Sequence, residues 1–427
     1  MISSLPVVKM PLAVKIMLAL VAILLLANIL SPLRLNTDAI RYFNIMLYLK
    51  GMLPPTDYAG SDFLPHGYPL LLKYLDKAGL LNSKAMIAIN ILAGVTVGYL
   101  ICRLLPAKNR LIVTALLLLS YINIKHLILP IPDELFAGSL LLATWCWAKA
   151  LKDKWIYCLP AFLITAAAIY LRTAGIVIPC GIVLFLIYTN WPAIKKNKYL
   201  LTALIGVVLT AIALFLYRLK GLEQRNDYFR YLNLEGIVHG PNNLSARVLL
   251  HLQEMGELLL NIPCSKLNTF VPHPLAFLIM PLIIATGLFM FALTVYIIIR
   301  TELYRHLILW VYLCYMTIII IWPFYDTRFL IPIIPLFIYC LYTAFERCRP
   351  LWALKLLATV YVLMGLFALS YSTAISINQS VFLKLYGFDK EMTASYRQHF
   401  EDKRSGTVVV YDINKQRVLY ILNAYDK

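Results

Sequence analysis

"MLALVAILLLANILSPLRLNTDAIRY", residues 17–42, decides what kind of molecule this is. A nearly uncharged run from Met10 to Leu30 leads straight into Asp38 and Arg41. A run of about twenty apolar residues is long enough to cross a hydrocarbon core as a helix. No small-residue cleavage site of the usual kind follows it, so it reads as an anchor rather than a signal peptide. The acid just beyond it poses a choice. Asp38 is either an interfacial helix cap, the simpler reading, or a base held at the membrane surface.

The same pattern recurs along the chain. Of 427 residues, 61% are hydrophobic and 14% charged, and the mean hydropathy is +0.76, far outside the range of soluble domains. The chain is expected to be an all-α polytopic membrane protein with about eleven transmembrane helices. They are placed near 11–30, 84–103, 111–129, 134–149, 156–171, 174–190, 199–218, 275–299, 307–322, 329–345 and 351–371.

The net charge of +18 is accounted for by the excess of Lys and Arg in cytoplasmic loops, without nucleic acid. With the N-terminus inside, the short connections at Lys9 and Lys15, 103–110, 149–154, 195–198, 300–305 and 347–355 all fall on the cytoplasmic side. Together they carry sixteen Lys or Arg against three acids, Asp153, Glu302 and, at the edge of the last connection, Glu346. The long polar segments, 31–83, 219–274 and 372–427, then lie outside, so the working surface is extracytoplasmic and the C-terminus external. Residues 1–371 form the transmembrane domain, and 372–427 a small external tail in which "GTVVVYDINKQRVLYILN" alternates as strands do. In the second loop, Arg247, His251, Glu254 and Glu257 accompany apolar residues at helical spacing, which suggests an amphipathic helix lying at the interface.

Of eight cysteines only Cys264 falls outside, so a disulfide framework is not expected and the thiols read as small core residues. There is no Walker loop and no Cys/His spacing of a zinc site. Charges at span ends are costly unless they face a cavity, a partner or headgroups. The outer ends supply a set: Asp38 and Arg41; Lys125 and His126; Asp133 and Glu134; Arg172; Asp326 and Arg328. Guanidinium forks bind phosphate bidentately and a carboxylate can take a proton from an attacking hydroxyl, so the set suits group transfer from a lipid phosphate. The plainer alternative is that the basic residues snorkel to headgroups and that Asp133 and Glu134 cap their helix.

Five stretches resemble the GT-C superfamily of integral membrane glycosyltransferases, which includes protein O-mannosyltransferases and lipid A aminoarabinose transferases. They are "NTDAIRYFNIMLYLKG" with "DFLPHGYPLLLKYL" in the first external loop, then "PDELFAGSLLLATW", "YLRTAGIVIPCGIVLF" and "YDTRFLIPIIPLFIY" in the family's order. The resemblance covers about residues 10–345. It implies a GT-C-like bundle, a sugar donor on a polyprenyl phosphate or diphosphate, and inverting transfer at the outer surface of the inner (plasma) membrane. The acceptor would be an extracytoplasmic lipid, glycan or protein.

Carried over residue by residue, the resemblance makes Asp38 the general base and Arg172 and Arg328 the binders of the leaving phosphate. Asp133 or Glu134 would position the acceptor or an arginine. Lys125 joins the phosphate set, and His66, Tyr68 and Arg41 the positioning set, by proximity. Asp38-Ala39 replaces the Asp-Glu pair usual in protein mannosyltransferases and no soluble carbohydrate-binding module follows, which disfavours a eukaryotic-type enzyme of that kind. No cofactor is required by the sequence, and any divalent cation would have to be gathered from separated carboxylates. Two other classes compete. One is a transporter or lipid flippase, which should carry mid-bilayer charge and broken helices at matching positions. The other is an O-antigen polymerase or ligase working through Arg218, Arg225, Arg230 and Arg247.

Overall fold

The computed structural model describes residues 12–105, 107, 109–152, 154–196, 243–270, 277–347, 352–386, 390–401 and 415–426. Among them every regular element is helical. The first half contains α1 (Leu12–Ala27), α2 (Thr37–Leu49), α3 (Gly67–Lys77), α4 (Ser83–Leu104), α5 (Arg110–Leu118), α6 (Tyr121–Leu127), α7 (Asp133–Ala150), α8 (Cys158–Leu171) and α9 (Val177–Lys196). The second contains α10 (Leu244–Leu260), α11 (Cys264–Phe270), α12 (Ile279–Arg300), α13 (Leu307–Ile321), α14 (Ile334–Arg347), α15 (Trp352–Ile377), α16 (Gln379–Leu385), α17 (Lys390–Glu401) and α18 (Lys415–Tyr425).

Four helical segments are long and apolar enough to span a membrane: 83–104, 173–196, 279–300 and 354–377. Each matches one of the expected spans. Their outward residues Leu282, Ile299, Leu363 and Phe367 are largely exposed, as lipid-facing side chains are. The segments at 14–30, 155–171 and 307–321 are apolar but shorter. The expected span at 199–218 lies outside the described residues, and α14 is buried along almost its whole length. Among the described residues, length and composition alone thus support four spans, or five with the broken one below, and leave the expected count of eleven unconfirmed.

The expected span at 111–129 is a broken one. It bends by 68° between α5 and α6, and the backbone groups freed there need partners in an apolar setting. Asn261 supplies them. Its Oδ1 accepts from Tyr121 N at 2.6 Å, and its Nδ2 donates to Leu119 O at 2.9 Å and to Tyr361 O at 2.8 Å. Asn261 ends α10 in the left-handed region at φ 58°, where asparagine is well tolerated. Asn123 Nδ2 donates to Leu117 O at 2.8 Å.

Helix α10 corrects the expectation of an interfacial amphipath. Its charged side faces inward, with Arg247, His251, Glu254 and Glu257 buried, while Leu244, Val248 and Leu249 are exposed. This is the inverse of a water-solvated helix and suits apolar surroundings. It crosses α12 at very close range. A Cβ added to Gly287 would stand 1.8 Å from Leu252 O, and one added to Gly256 2.0 Å from Ile283 O. Small residues at such a crossing let the two backbones approach.

The tail is also corrected. Residues 415–425 form helix α18 rather than a strand; 406–414 lie outside the described residues. Helices α16, α17 and α18 pack on the segment that carries α2 and α3 and share a core with it. Leu33, Leu35, Phe43, Tyr68 and Leu72 meet Phe382, Tyr396, Ile421 and Leu422. A separate, larger core joins α4, α5, α7, α13 and α14.

Candidate active site

A strap without regular structure, residues 31–36, links the first apolar helical segment to α2, and the tail fixes its course. Leu33 N donates to Asp426 Oδ1 at 2.8 Å, and Leu35 N to the Tyr396 hydroxyl at 2.9 Å. That hydroxyl in turn donates to Leu33 O at 2.7 Å, and the Tyr386 hydroxyl to Leu35 O at 2.9 Å. Asn36 then caps α2, its Oδ1 accepting from Ala39 N at 2.7 Å. The cap is therefore Asn36, and Asp38, in the first turn, is left for other work.

Asp38 Oδ2 pairs with Arg328 Nη1, and its Oδ1 lies 3.6 Å from Arg41 Nη1. These residues line a cavity of about 220 Å³ together with Tyr42, Phe63, Arg172 and Trp322. Three guanidiniums thus face the cavity beside a single lining carboxylate, and each arginine is held from behind by its own acid. Arg41 forms a two-pronged pair with Asp62, Nε to Oδ2 at 2.9 Å and Nη2 to Oδ1 at 2.7 Å, and sits over Phe63 at 4.6 Å. Arg172 Nη1 lies 2.8 Å from Asp133 Oδ1, and Arg328 Nε 2.7 Å from Asp326 Oδ2. Arg172 and Arg328 both rest on the Phe329 ring, at 5.1 and 5.2 Å.

Burial pulls the Arg172 guanidinium down, but Asp133 and Tyr42 outweigh it. Burial does the same to Arg328, and Asp133, Asp326 and Asp38 outweigh it there. Both are held above the ordinary arginine value and stay cationic. Burial pushes the Tyr42 hydroxyl up, so it is a donor at neutral pH.

The loop carrying Asp326 and Arg328 is gripped from below by α10. Glu254 Oε1 accepts from Asp326 N at 2.6 Å, and Glu254 Oε2 lies 2.8 Å from His251 Nδ1. His251 Nε2 is 3.0 Å from Trp322 O, and Arg247 bonds to Ile321 O. Both His251 nitrogens thus face oxygens, and the ring ties α10 to the end of α13. One turn on, Glu257 accepts from Tyr325 at 2.6 Å and from Tyr121 at 2.8 Å.

The structure gathers Asp38, Arg41, Arg172 and Arg328 at one cavity. Asp133 reaches it through Arg172, and Tyr68 stands behind it, edge-on to Tyr42 at 5.3 Å. Glu134 and His66 are not among its lining residues, and Lys125 lines a different cavity, described below. Gly67 of "PHGYP" is fixed by packing, since a Cβ there would stand 2.4 Å from Tyr170 O, near the end of α8. Asp62 and Arg34 were not singled out by the sequence. Their roles depend on partners distant in the chain, and only the extra acid in "SDF" hinted at one of them. Among the described residues no three His, Cys, Asp or Glu side chains gather as a metal site.

No protein-family model, curated protein or solved structure matches this chain.

Proposed function

We propose that this chain is a membrane glycosyltransferase. It moves a sugar from a polyprenyl-phosphate donor to an extracytoplasmic lipid, glycan or protein acceptor, with inversion, at the outer face of the inner (plasma) membrane. The N-terminus is cytoplasmic and the C-terminus external in this reading. The observation that carries it is the cavity wall: one lining carboxylate, Asp38, among three arginines whose own acids all stand behind them.

That arrangement suits displacement at an anomeric carbon. The acceptor hydroxyl oxygen forms a bond to the anomeric carbon from one face while the bond to the phosphate oxygen breaks on the other. The hydroxyl proton passes to Asp38, and Oδ1 is the oxygen available, because Oδ2 is engaged by Arg328. The bonding electron pair leaves with the phosphate. Its growing charge is met by Arg172 and Arg328, whose forks are fixed before the reaction by Asp133, Asp326 and the Phe329 ring. Tyr42 can donate to a sugar or phosphate oxygen. Preorganisation of this kind, in a cavity with an otherwise largely apolar lining, stabilises developing charge more than mobile water does.

The test is transfer of labelled sugar from a panel of polyprenyl-phosphate sugars to cell-envelope acceptors, wild type beside Asp38→Asn. Wild type is expected to transfer, and the variant to lose about 100-fold or more of the rate, the range of a general base. Equal rates would remove Asp38 from the chemistry. Transport of the lipid-linked sugar across vesicles without any transfer would favour a flippase.

A further inference from the structure

A second cavity, of about 420 Å³, is lined by Arg34 of the strap and shares no lining residue with the first. One wall is the lipid-facing helix α15, with Met364, Phe367 and Tyr371; another is α6, with Ile124 and Ile128. The lining is apolar except for a few polar groups, of which three are cations, Arg34, Lys125 and Lys266, and it contains no carboxylate.

Arg34 is the informative one. It is buried, at 4% exposure. Its Nε donates to Ser31 Oγ at 2.9 Å, and its Nη2 to Ser376 Oγ at 2.7 Å and Ser372 O at 3.2 Å. Those partners are neutral, and the remaining neighbours are the Phe382 and Tyr386 rings at 5.8 and 5.7 Å. No ion pair of Arg34 is found among the described residues. Burial lowers it to about 10, with only tyrosines opposing the shift, so it is cationic at neutral pH. Three other arginines differ: the partly buried Arg172 and Arg328 each have a carboxylate, and so does the buried Arg417, through Asp57.

A buried cation without a counter-charge is costly, and proteins supply the counter-charge from a side chain or from a ligand. Here the side chains do not supply it. Lys125, exposed and without an ion pair among the described residues, adds a second positive charge at the same cavity. An anion carried on an apolar chain satisfies both features at once, because its headgroup compensates the cations and its chain occupies the wall formed by α15.

We infer that this second cavity is a binding site for a phosphate-headed lipid, the headgroup meeting Arg34 and Lys125 and the chain lying against Met364 and Phe367 of α15. The site rests on charge and shape alone and does not depend on the transferase reading.

The experiment is thermal unfolding of the purified full chain in neutral mixed micelles, titrated with phosphatidic acid, phosphatidylcholine or inorganic phosphate. Phosphatidic acid is expected to give a saturable rise in melting temperature of about 3 °C or more, and the other two to give none. Arg34→Gln would remove the charge but also three hydrogen bonds, so two milder variants carry the test. Lys125→Glu, at an exposed position, should keep the lipid-free melting temperature and need at least about tenfold more phosphatidic acid, one charge contact being worth that much. Met364→Trp should fill the chain slot and abolish the response. The inference is overturned if phosphatidic acid produces no rise or phosphatidylcholine an equal one. A rise with inorganic phosphate alone would mean a soluble-anion site, and unchanged responses in both variants would place the lipid elsewhere. No sugar transfer is measured, so failure of that activity leaves the outcome readable.

Discussion

Asn36 and Asp38 divide between them two jobs that the sequence could assign to one side chain. Because Asn36 accepts the Ala39 amide proton, Asn36→Ala should destabilise the fold by about 1 kcal/mol and lower the melting temperature, while the properly folded fraction keeps its activity. Asp38→Asn should do the reverse, leaving the melting temperature within a degree or two and reducing transfer. Measuring both quantities on both variants separates cap from base; loss of activity in Asn36→Ala alone would reverse the assignment. Arg328 is a second case. Its fork spans Asp38 and Asp326 at the same time, and lysine is a point charge without a fork. Arg328→Lys should therefore lose most of the activity, at least about tenfold in kcat, despite conserving charge. A variant with wild-type kcat would show that charge alone suffices. At this scale the sequence was informative about which charges gather, since Asp38, Arg172 and Arg328 do meet at one cavity. It was silent on which acid serves which arginine, because Asp62, Asp133 and Asp326 come from three separate segments.

The strap and the tail behave as one element. Tyr396 uses a single hydroxyl to bond two backbone groups of the strap, in a site with no access to water. Tyr396→Phe should leave the Leu35 amide and Leu33 carbonyl unpaired, at about 1–3 kcal/mol for each buried group left without a partner. It should also release the strap that presents Asp38, reducing transfer with little change in donor binding. The same docking carries a pH dependence. Burial pulls His399 down, but hydrogen bonds to Asp426 and Asn423 and the charge of Asp426 outweigh it, so it lies above its ordinary 6.5. The stabilisation is then fully present below about pH 6.5 and is lost as pH rises through the raised value. Protection factors across residues 415–426, that is exchange corrected for its intrinsic base-catalysed rise with pH, should be higher at pH 5.5 than at pH 8.5, and His399→Gln should flatten the difference. Equal protection factors at both pH values in wild type would remove His399 from the docking. None of this was legible beforehand. Alternating "YDINKQRVLYILN" reads as strand by period, and what makes 415–425 helical is the core it shares with α2 and α3, a tertiary contact that overrides local pattern.

For the whole molecule, hydropathy located the apolar segments well. Four of the expected spans are long apolar helical segments, and one is broken at Leu119–Ser120. The charge pattern of "LHLQEMGELLL" was read as facing water, whereas the partners of His251, Glu254 and Glu257 lie some 70 residues away in the chain or further and turn that face inward. What the pattern of loop charges predicts is sidedness, because basic connections are generally retained on the cytoplasmic side. Ser61 and Lys152 lie on opposite sides in that topology, and both are exposed. Asp62 would be a poor reporter beside Ser61, because removing it releases Arg41. In intact cells, or right-side-out vesicles, Ser61→Cys should react with a membrane-impermeant maleimide while Lys152→Cys reacts only after permeabilisation. The native cysteines set a low background, since four of the seven described are buried and Cys180, the exposed one, lies within the lipid-facing segment 173–196. The opposite labelling would place the Asp38 cavity on the cytoplasmic side, where nucleotide sugars are made, and with it remove the reason for a lipid-borne donor.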